Sequence, residues 1–116
     1  MASMREPTFW ILTALATRAL HGYGVIQEVA ALSEGRVALQ AGTLYAALDR
    51  LTDEGLVEPD REEVIDGRTR RYYRLTTPGA AALEAETERL RHTVATASRR
   101  LSERATGLGG PAALPT

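Results

Sequence analysis

Val64-Ile65-Asp66-Gly67-Arg68-Thr69-Arg70-Arg71-Tyr72-Tyr73-Arg74-Leu75-Thr76-Thr77-Pro78 is the stretch on which the fold turns. Val64-Ile65 reads as extended chain, Asp66-Gly67 is a strong hairpin-turn dipeptide, and Thr69 to Leu75 is rich in strand formers. Thr76 or Thr77 can cap a following helix, and Pro78 suits its first turn because its missing N–H costs nothing there. The stretch therefore predicts a two-stranded hairpin with an arginine-rich tip that hands over to a helix, with Leu56-Val57 as extended chain leading in.

Upstream, Pro7 opens a helix in which Ile11, Leu12, Leu15, Ala16 and Ala19 recur at helical spacing until His21-Gly22. Val25, Ile26, Val29 and Ala30 form one face of a second short helix that ends near Ser33 to Gly35, and Gly35 to Ala41 is a connector. From Gly42, Leu44, Ala47, Leu48 and Leu51 make a single apolar stripe, and Gly55 stands where a left-handed C-terminal cap belongs. The opposite face of this third helix carries Gly42, Ala46, Asp49 and Asp53, with Thr43, Tyr45 and Arg50 on its shoulders. Small side chains at its start let another surface approach the backbone.

Downstream of Pro78 the helical pattern runs without a breaker to about Ala105. Leu83, Thr87, Leu90, Val94, Ala97 and Leu101 alternate spacings of four and three, the seam of a helix packed along another helix. That seam serves either a second copy of the chain, with Leu83, Leu90, Val94, Ala97 and Leu101 as dimerisation residues, or the chain's own first helix. The tail 106–116 is rich in Gly and Pro and is expected to be disordered. The fold class is thus mainly α with a small β-hairpin: a winged helix-turn-helix at 5–76, with the third helix placed for the major groove, and a long C-terminal dimerisation helix at 77–105.

Composition narrows the function classes. The 116 residues suit one modest core and leave no room for a second, catalytic domain. There is no cysteine and no lysine, which excludes disulfides, thiolate metal sites, sulfur nucleophiles and Schiff-base chemistry. No serine sits in a nucleophile elbow, so an enzyme is not expected. No cofactor or metal is expected either: His21 and His92 are isolated, His21 reading as the end of the first helix and His92 as a solvated side chain. Glu58 to Asp66 lacks the spacing and central glycine of a calcium loop and reads as a solvated hairpin. No apolar run is long enough to span a membrane, and a cytoplasmic protein is expected.

The net charge of -1 conceals a strong segregation. Asp49 to Glu63 holds two arginines against seven acids, whereas Asp66 to Arg74 holds four arginines against one acid. Phosphates feel only the charges placed near them, so the local balance outweighs the total. Arginine as the sole base suits bidentate phosphate and guanine contacts, as would the codon usage of a GC-rich genome.

Several motifs together resemble the PadR-like family of transcriptional regulators, over about Glu6 to Leu101. They are Leu20-His21-Gly22-Tyr23-Gly24, Gly42-Thr43-Leu44-Tyr45-Ala46-Ala47-Leu48, Leu51 through Gly55-Leu56-Val57, and Gly67-Arg68 with Arg71-Tyr72-Tyr73-Arg74-Leu75-Thr76. The resemblance implies a homodimer on a near-palindromic operator in double-stranded DNA, usually a repressor released by a small molecule or stress signal. It also implies that Tyr45 contacts DNA from the third helix. The chain departs from the family pattern at Ala46, where proline is usual, at Gly24, where glutamate is frequent, and in Arg36 to Gln40, which lacks the frequent tryptophan.

Role by role, Thr43 and Tyr45 are expected to bond phosphate, and Gln40 to reach phosphate or a base edge. Arg68 and Arg70 at the wing tip suit backbone or minor-groove contacts. Arg50 is either a groove contact or a partner of Asp53. Asp49 must accept from cytosine, pair with an arginine or repel phosphate. Of Tyr72-Tyr73 one ring is expected in the core, and Tyr23 is read the same way. Phe9 and Trp10 are adjacent, so one ring turns away from the core, to pack in the dimer interface or to line a pocket for a small hydrophobic effector. A competing reading is a winged-helix protein-interaction module without DNA binding, suggested by the acidic stretch beside the third helix.

Overall fold

The computed structural model describes residues 4–107. Four helices and a three-stranded antiparallel sheet follow in the order α1 (Glu6–Ala14), β1 (Leu20–His21), α2 (Gly22–Leu32), α3 (Ala41–Asp53), β2 (Val57–Ile65), β3 (Arg68–Leu75) and α4 (Thr77–Ala105). The fold is mainly helical with a wing and a long C-terminal helix, as expected. The chain divides into two compact units, Met1–Glu84 and Ala85–Thr116.

In the first unit Ile11, Leu12, Ala14 and Leu15 of the α1 segment, Leu20, Val25, Val29, Leu44, Leu48, Leu51, Val57 and Tyr73 form one buried cluster. Each fully buried Leu, Ile or Val contributes about 1.5–3 kcal/mol through removal from water. Trp10, Ile26, Val37, Leu39, Ala47, Leu56, Leu75 and Leu83 pack around the cluster.

The first helix is shorter than its periodicity predicts. It stops at Ala14, and Leu20–His21 leave as a strand that pairs with β3, Leu20 opposite Tyr73 and His21 opposite Tyr72. Burying Leu20 beside Tyr73 while satisfying backbone groups on the free edge of β3 outweighs the helix propensity of the intervening residues. The sheet order β1-β3-β2 follows.

β2 and β3 form the expected hairpin. Asp66 and Gly67 both have positive φ, 53° and 77°, as a two-residue turn of the type that matches strand twist requires. Val57 and Val64-Ile65 belong to a single strand, which Leu56 immediately precedes and which is interrupted by a register shift between Pro59 and Glu62. Pro59 is tolerated because β2 is an edge strand. Thr76 caps α4: its hydroxyl accepts from the Gly79 N–H at 3.0 Å and donates to the Gly55 carbonyl at 2.6 Å.

In the second unit α4 continues to Ala105, and Thr106 and Gly107 close it with a turn in which Gly107 has φ 81°. The remainder of the tail expected at 106–116 lies outside the described residues. Glu86 is buried and accepts two bonds from Arg89, at 2.6 and 3.1 Å. No helix of the described residues is long and apolar enough to cross a membrane.

Candidate nucleic-acid interface

The third helix is held from beneath by Leu44, Leu48 and Leu51, none of which retains accessible surface. Its other side, with Gly42, Thr43, Tyr45, Ala46 and Asp49, is exposed. Gln40 is the N-cap residue in extended conformation, but its side chain makes no capping bond, and the first turn of α3 carries no acid. The opening amides of α3 therefore face solvent with their partial positive charge uncompensated by a side chain. A Cβ on Gly42 would meet nothing within 4 Å, so the helix start is open to a close approach.

Tyr45 is 46% exposed, and its phenol end lies over Gly22, the first residue of α2. A Cβ at Gly22 would stand 2.2 Å from the Tyr45 hydroxyl oxygen, so the two glycine-containing motifs of the sequence meet here. Tyr23, expected in the core, is 62% exposed instead. The signal was available: Gly22, Val25 and Val29 define the buried face of α2, and Tyr23 lies on the opposite side at helical spacing. Of the adjacent tyrosines in β3, Tyr73 enters the core, whereas Tyr72 is half-buried against the His21 ring, 5.3 Å between centroids.

Arg50 has partners within the protein. It donates to the Thr8 hydroxyl at 3.0 Å and pairs with Glu54 at 3.6 Å, one turn on, rather than with Asp53. Asp49 and Asp53 carry no ion pair among the described residues.

His21 does not end a helix but precedes one, in β1 at the N-terminus of α2. Burial, followed by the nearby Arg70 guanidinium, lowers its pKa from the ordinary 6.5, against a smaller opposing effect of Glu63. In the wing, Arg74 binds Glu58 at 2.6 Å and Asp60 at 3.2 Å, and Arg71 binds Glu62 at 3.2 Å. The Glu58 bond holds the Arg74 guanidinium in its charged form. Arg61 pairs with Asp60 and Glu63 at 3.2 and 3.6 Å and lies 3.9 Å over the Tyr72 ring. Arg68 and Arg70 carry no ion pair among the described residues.

Away from α3, a hollow of about 460 Å³ is walled by Trp10, Leu32, Ser33, Glu34 and Arg36. Glu6 accepts from the Trp10 Nε1–H at 3.1 Å and pairs with Arg36. Phe9 is absent from that wall and meets Trp10 edge-on, 5.5 Å between centroids. In the second unit, Val94 and Leu101 are 64% and 65% exposed, Ala97 is exposed and Leu90 half-buried. Leu83 packs against the core of the first unit. No group of three or more metal-ligating side chains occurs among the described residues.

Comparison with known proteins agrees with this geometry. The transcriptional regulator Rv3488 of Mycobacterium tuberculosis is 42% identical over 73 residues, which span 63% of this chain and 64% of that regulator. A PadR family transcriptional regulator from Eggerthella lenta superposes with a TM-score of 0.63 at 26% identity, over 84% of this chain and 81% of that one. Bacillus subtilis PadR in complex with operator DNA superposes with a TM-score of 0.62 at 24% identity, over 70% of this chain and 47% of that one, a likeness of fold. Residues 11–85 match the sequence pattern of the transcriptional regulator PadR-like family, and the chain belongs to that family of non-enzymatic regulators.

Proposed function

We propose that this protein is a sequence-specific regulator that binds double-stranded DNA as a homodimer on a near-palindromic operator, acting as a repressor released by a small-molecule or stress signal. The observation that carries the reading is the pairing of two surfaces. One is the exposed, uncapped start of α3 with Gln40, Thr43 and Tyr45; the other is a wing on which Arg68 and Arg70 have no acidic partner among the described residues. Helix-start amides and hydroxyls suit phosphate, and arginine suits the narrow minor groove beside it. The Bacillus subtilis relative was solved on its operator, which favours the same use of this fold.

Two copies are to join through α4, with Leu90, Val94, Ala97 and Leu101 as the seam; exposed Val94 and Leu101 motivate this role, and Leu83 contributes from its place in the core. Val94→Asp with Leu101→Asp should turn the dimer into a monomer in analytical ultracentrifugation, and an unchanged mass would reject the seam. The effector site is to be the hollow beside Trp10, with Phe9 supporting the indole from behind. The Glu6 and Glu34 carboxylates near it suit a planar hydrophobic cation. Unchanged Trp10 fluorescence and unchanged melting across a panel of such cations would reject that assignment.

The deciding experiment is selection of bound fragments from sheared DNA of the source genome at near-physiological salt, followed by sequencing. Enrichment of a few promoters sharing an inverted repeat is expected, with loss on Tyr45→Ala or Arg68→Ala. Absence of enrichment would point to a protein partner instead.

A further inference from the structure

The hairpin carries five arginines, and the structure sorts them. Arg61, Arg71 and Arg74 are engaged by Glu58, Asp60, Glu62 and Glu63, while Arg68 and Arg70 have no acidic partner among the described residues. The sorting follows from register. β2 sets Glu58 opposite Arg74 and Glu62 opposite Arg71, so each acid lies directly across the ladder from a base. Glu63 lies opposite Arg70, yet its carboxylate turns to Arg61, which leaves Arg70 without a carboxylate partner among the described residues. Arg68 lies opposite Ile65, which cannot pair with it.

These ion pairs are about half exposed, so they add little to stability. Their larger effect is on the field outside the wing. A guanidinium whose fork rests on a carboxylate presents almost no net charge to an approaching phosphate. Affinity for DNA of any sequence rises with the number of phosphates neutralised.

We infer that the acidic strand of the wing is a charge governor: Glu58, Asp60 and Glu62 keep Arg71 and Arg74 off the DNA backbone and confine the wing's phosphate contacts to Arg68 and Arg70. The inference rests on the DNA-binding reading above and adds to it a limit on sequence-independent affinity. It also accounts for a DNA-binding wing with so acidic a first strand.

The test is fluorescence anisotropy of a labelled random-sequence duplex titrated with the full chain over a range of KCl concentrations. Glu58→Gln/Asp60→Asn/Glu62→Gln removes the charges while keeping hydrogen-bond acceptors on the strand. Its log-affinity against log-salt slope should steepen by about 0.9 for each arginine recruited, and adding Arg71→Ala/Arg74→Ala should restore the wild-type slope. An unchanged slope overturns the governor. Steepening that survives removal of both arginines and of Arg61, which Asp60 also holds, overturns it too, because the acids would then act by repulsion alone. If the triple variant fails to melt cooperatively, Glu62→Gln with and without Arg71→Ala carries the same test at a single arginine. Wild-type protein that binds no duplex in a salt-dependent manner rejects the DNA reading itself, and the governor falls with it.

Discussion

Replacing Gly79 by alanine should destabilise the protein more than any other single methyl added to a glycine of this chain. Gly79 is the third residue of α4, where alanine would ordinarily gain up to about 1 kcal/mol through helix propensity and a less flexible unfolded chain. Here the new Cβ would stand 2.0 Å from the Leu56 carbonyl oxygen and 2.8 Å from Leu75 Cδ1. The obstacle is backbone and cannot rotate away, so the helix start must retreat by more than an ångström. The same carbonyl accepts the Thr76 N–H at 3.1 Å, and the Thr76 hydroxyl joins Gly55 to Gly79, so the retreat breaks the cap as well. Overpacking costs about 1–3 kcal/mol and a lost cap about 1 kcal/mol, which leaves a net loss of about 1–3 kcal/mol after the propensity gain. For a domain of this size that lowers the melting temperature by on the order of 5–15 °C. Urea unfolding followed by Trp10 fluorescence and circular dichroism, at one fixed protein concentration so that association does not shift the midpoint, measures it. A loss below about 0.5 kcal/mol would refute the close approach of α4 to Leu56.

Gly42→Ala meets no neighbour and should stabilise by about 0.4–1 kcal/mol in the same urea assay, yet weaken operator binding if DNA approaches the start of α3 closely. Gly22→Ala must push the Tyr45 phenol aside; it should destabilise by about 1–3 kcal/mol, and Tyr45→Ala should relieve most of that loss in a double-mutant cycle. His21 binds its proton less readily folded than unfolded, so its contribution is complete above 6.5 and is lost as pH falls through that value toward the lower folded pKa. The stability difference between wild type and His21→Gln should therefore fall as pH is lowered through 6.5 toward the lower folded pKa, and a constant difference would show that burial and Arg70 do not act on the ring as stated. Arg50→Ala should lower the melting temperature more than it lowers operator affinity, the reverse of Arg68→Ala; equal effects in both assays would place Arg50 on the DNA.

The elements legible in the sequence were those whose signal is local. The leucine stripe of α3 is a period, Asp66-Gly67 is a pair of residues that tolerate positive φ, and Thr76 with Pro78 is a cap that needs only its own neighbourhood. What the sequence concealed depends on partners far along the chain. Nothing in Ala16 to Ala19 marks the end of α1, because the helix ends to let Leu20–His21 reach an edge of β3 some fifty residues later. Gly79 was unremarked since only Leu56 gives its missing side chain a meaning, as Tyr45 does for Gly22. The segment charges were legible as totals, but their cancellation across the β2–β3 ladder needed the register, bulge included. The adjacency of Phe9 and Trp10 marks a ring turned to an interface or a pocket without saying which; Arg36 and Glu34, which share the hollow beside Trp10, lie beyond the next helix.

The candidate DNA residues now differ in what binding would cost them. A surface polar group satisfied by water exchanges that water for phosphate without breaking a protein bond, whereas a group already paired must first give up its partner. The side chains of Gln40, Thr43, Arg68 and Arg70 have no hydrogen-bond or ion-pair partner among the described residues. Tyr45 is restrained at its phenol end by Gly22, so any contact it makes is made from a fixed position, with little rotamer entropy left to lose. Arg50 stands apart: reaching DNA would break its bond to Thr8 and its pair with Glu54, and with them the link between α1 and α3. Arg50, Arg61, Arg71 and Arg74 are thus held within the protein. A chain of net charge -1 can offer phosphate a positive surface because Glu54, Glu58, Asp60, Glu62 and Glu63 pair with those arginines and not with Arg68 and Arg70.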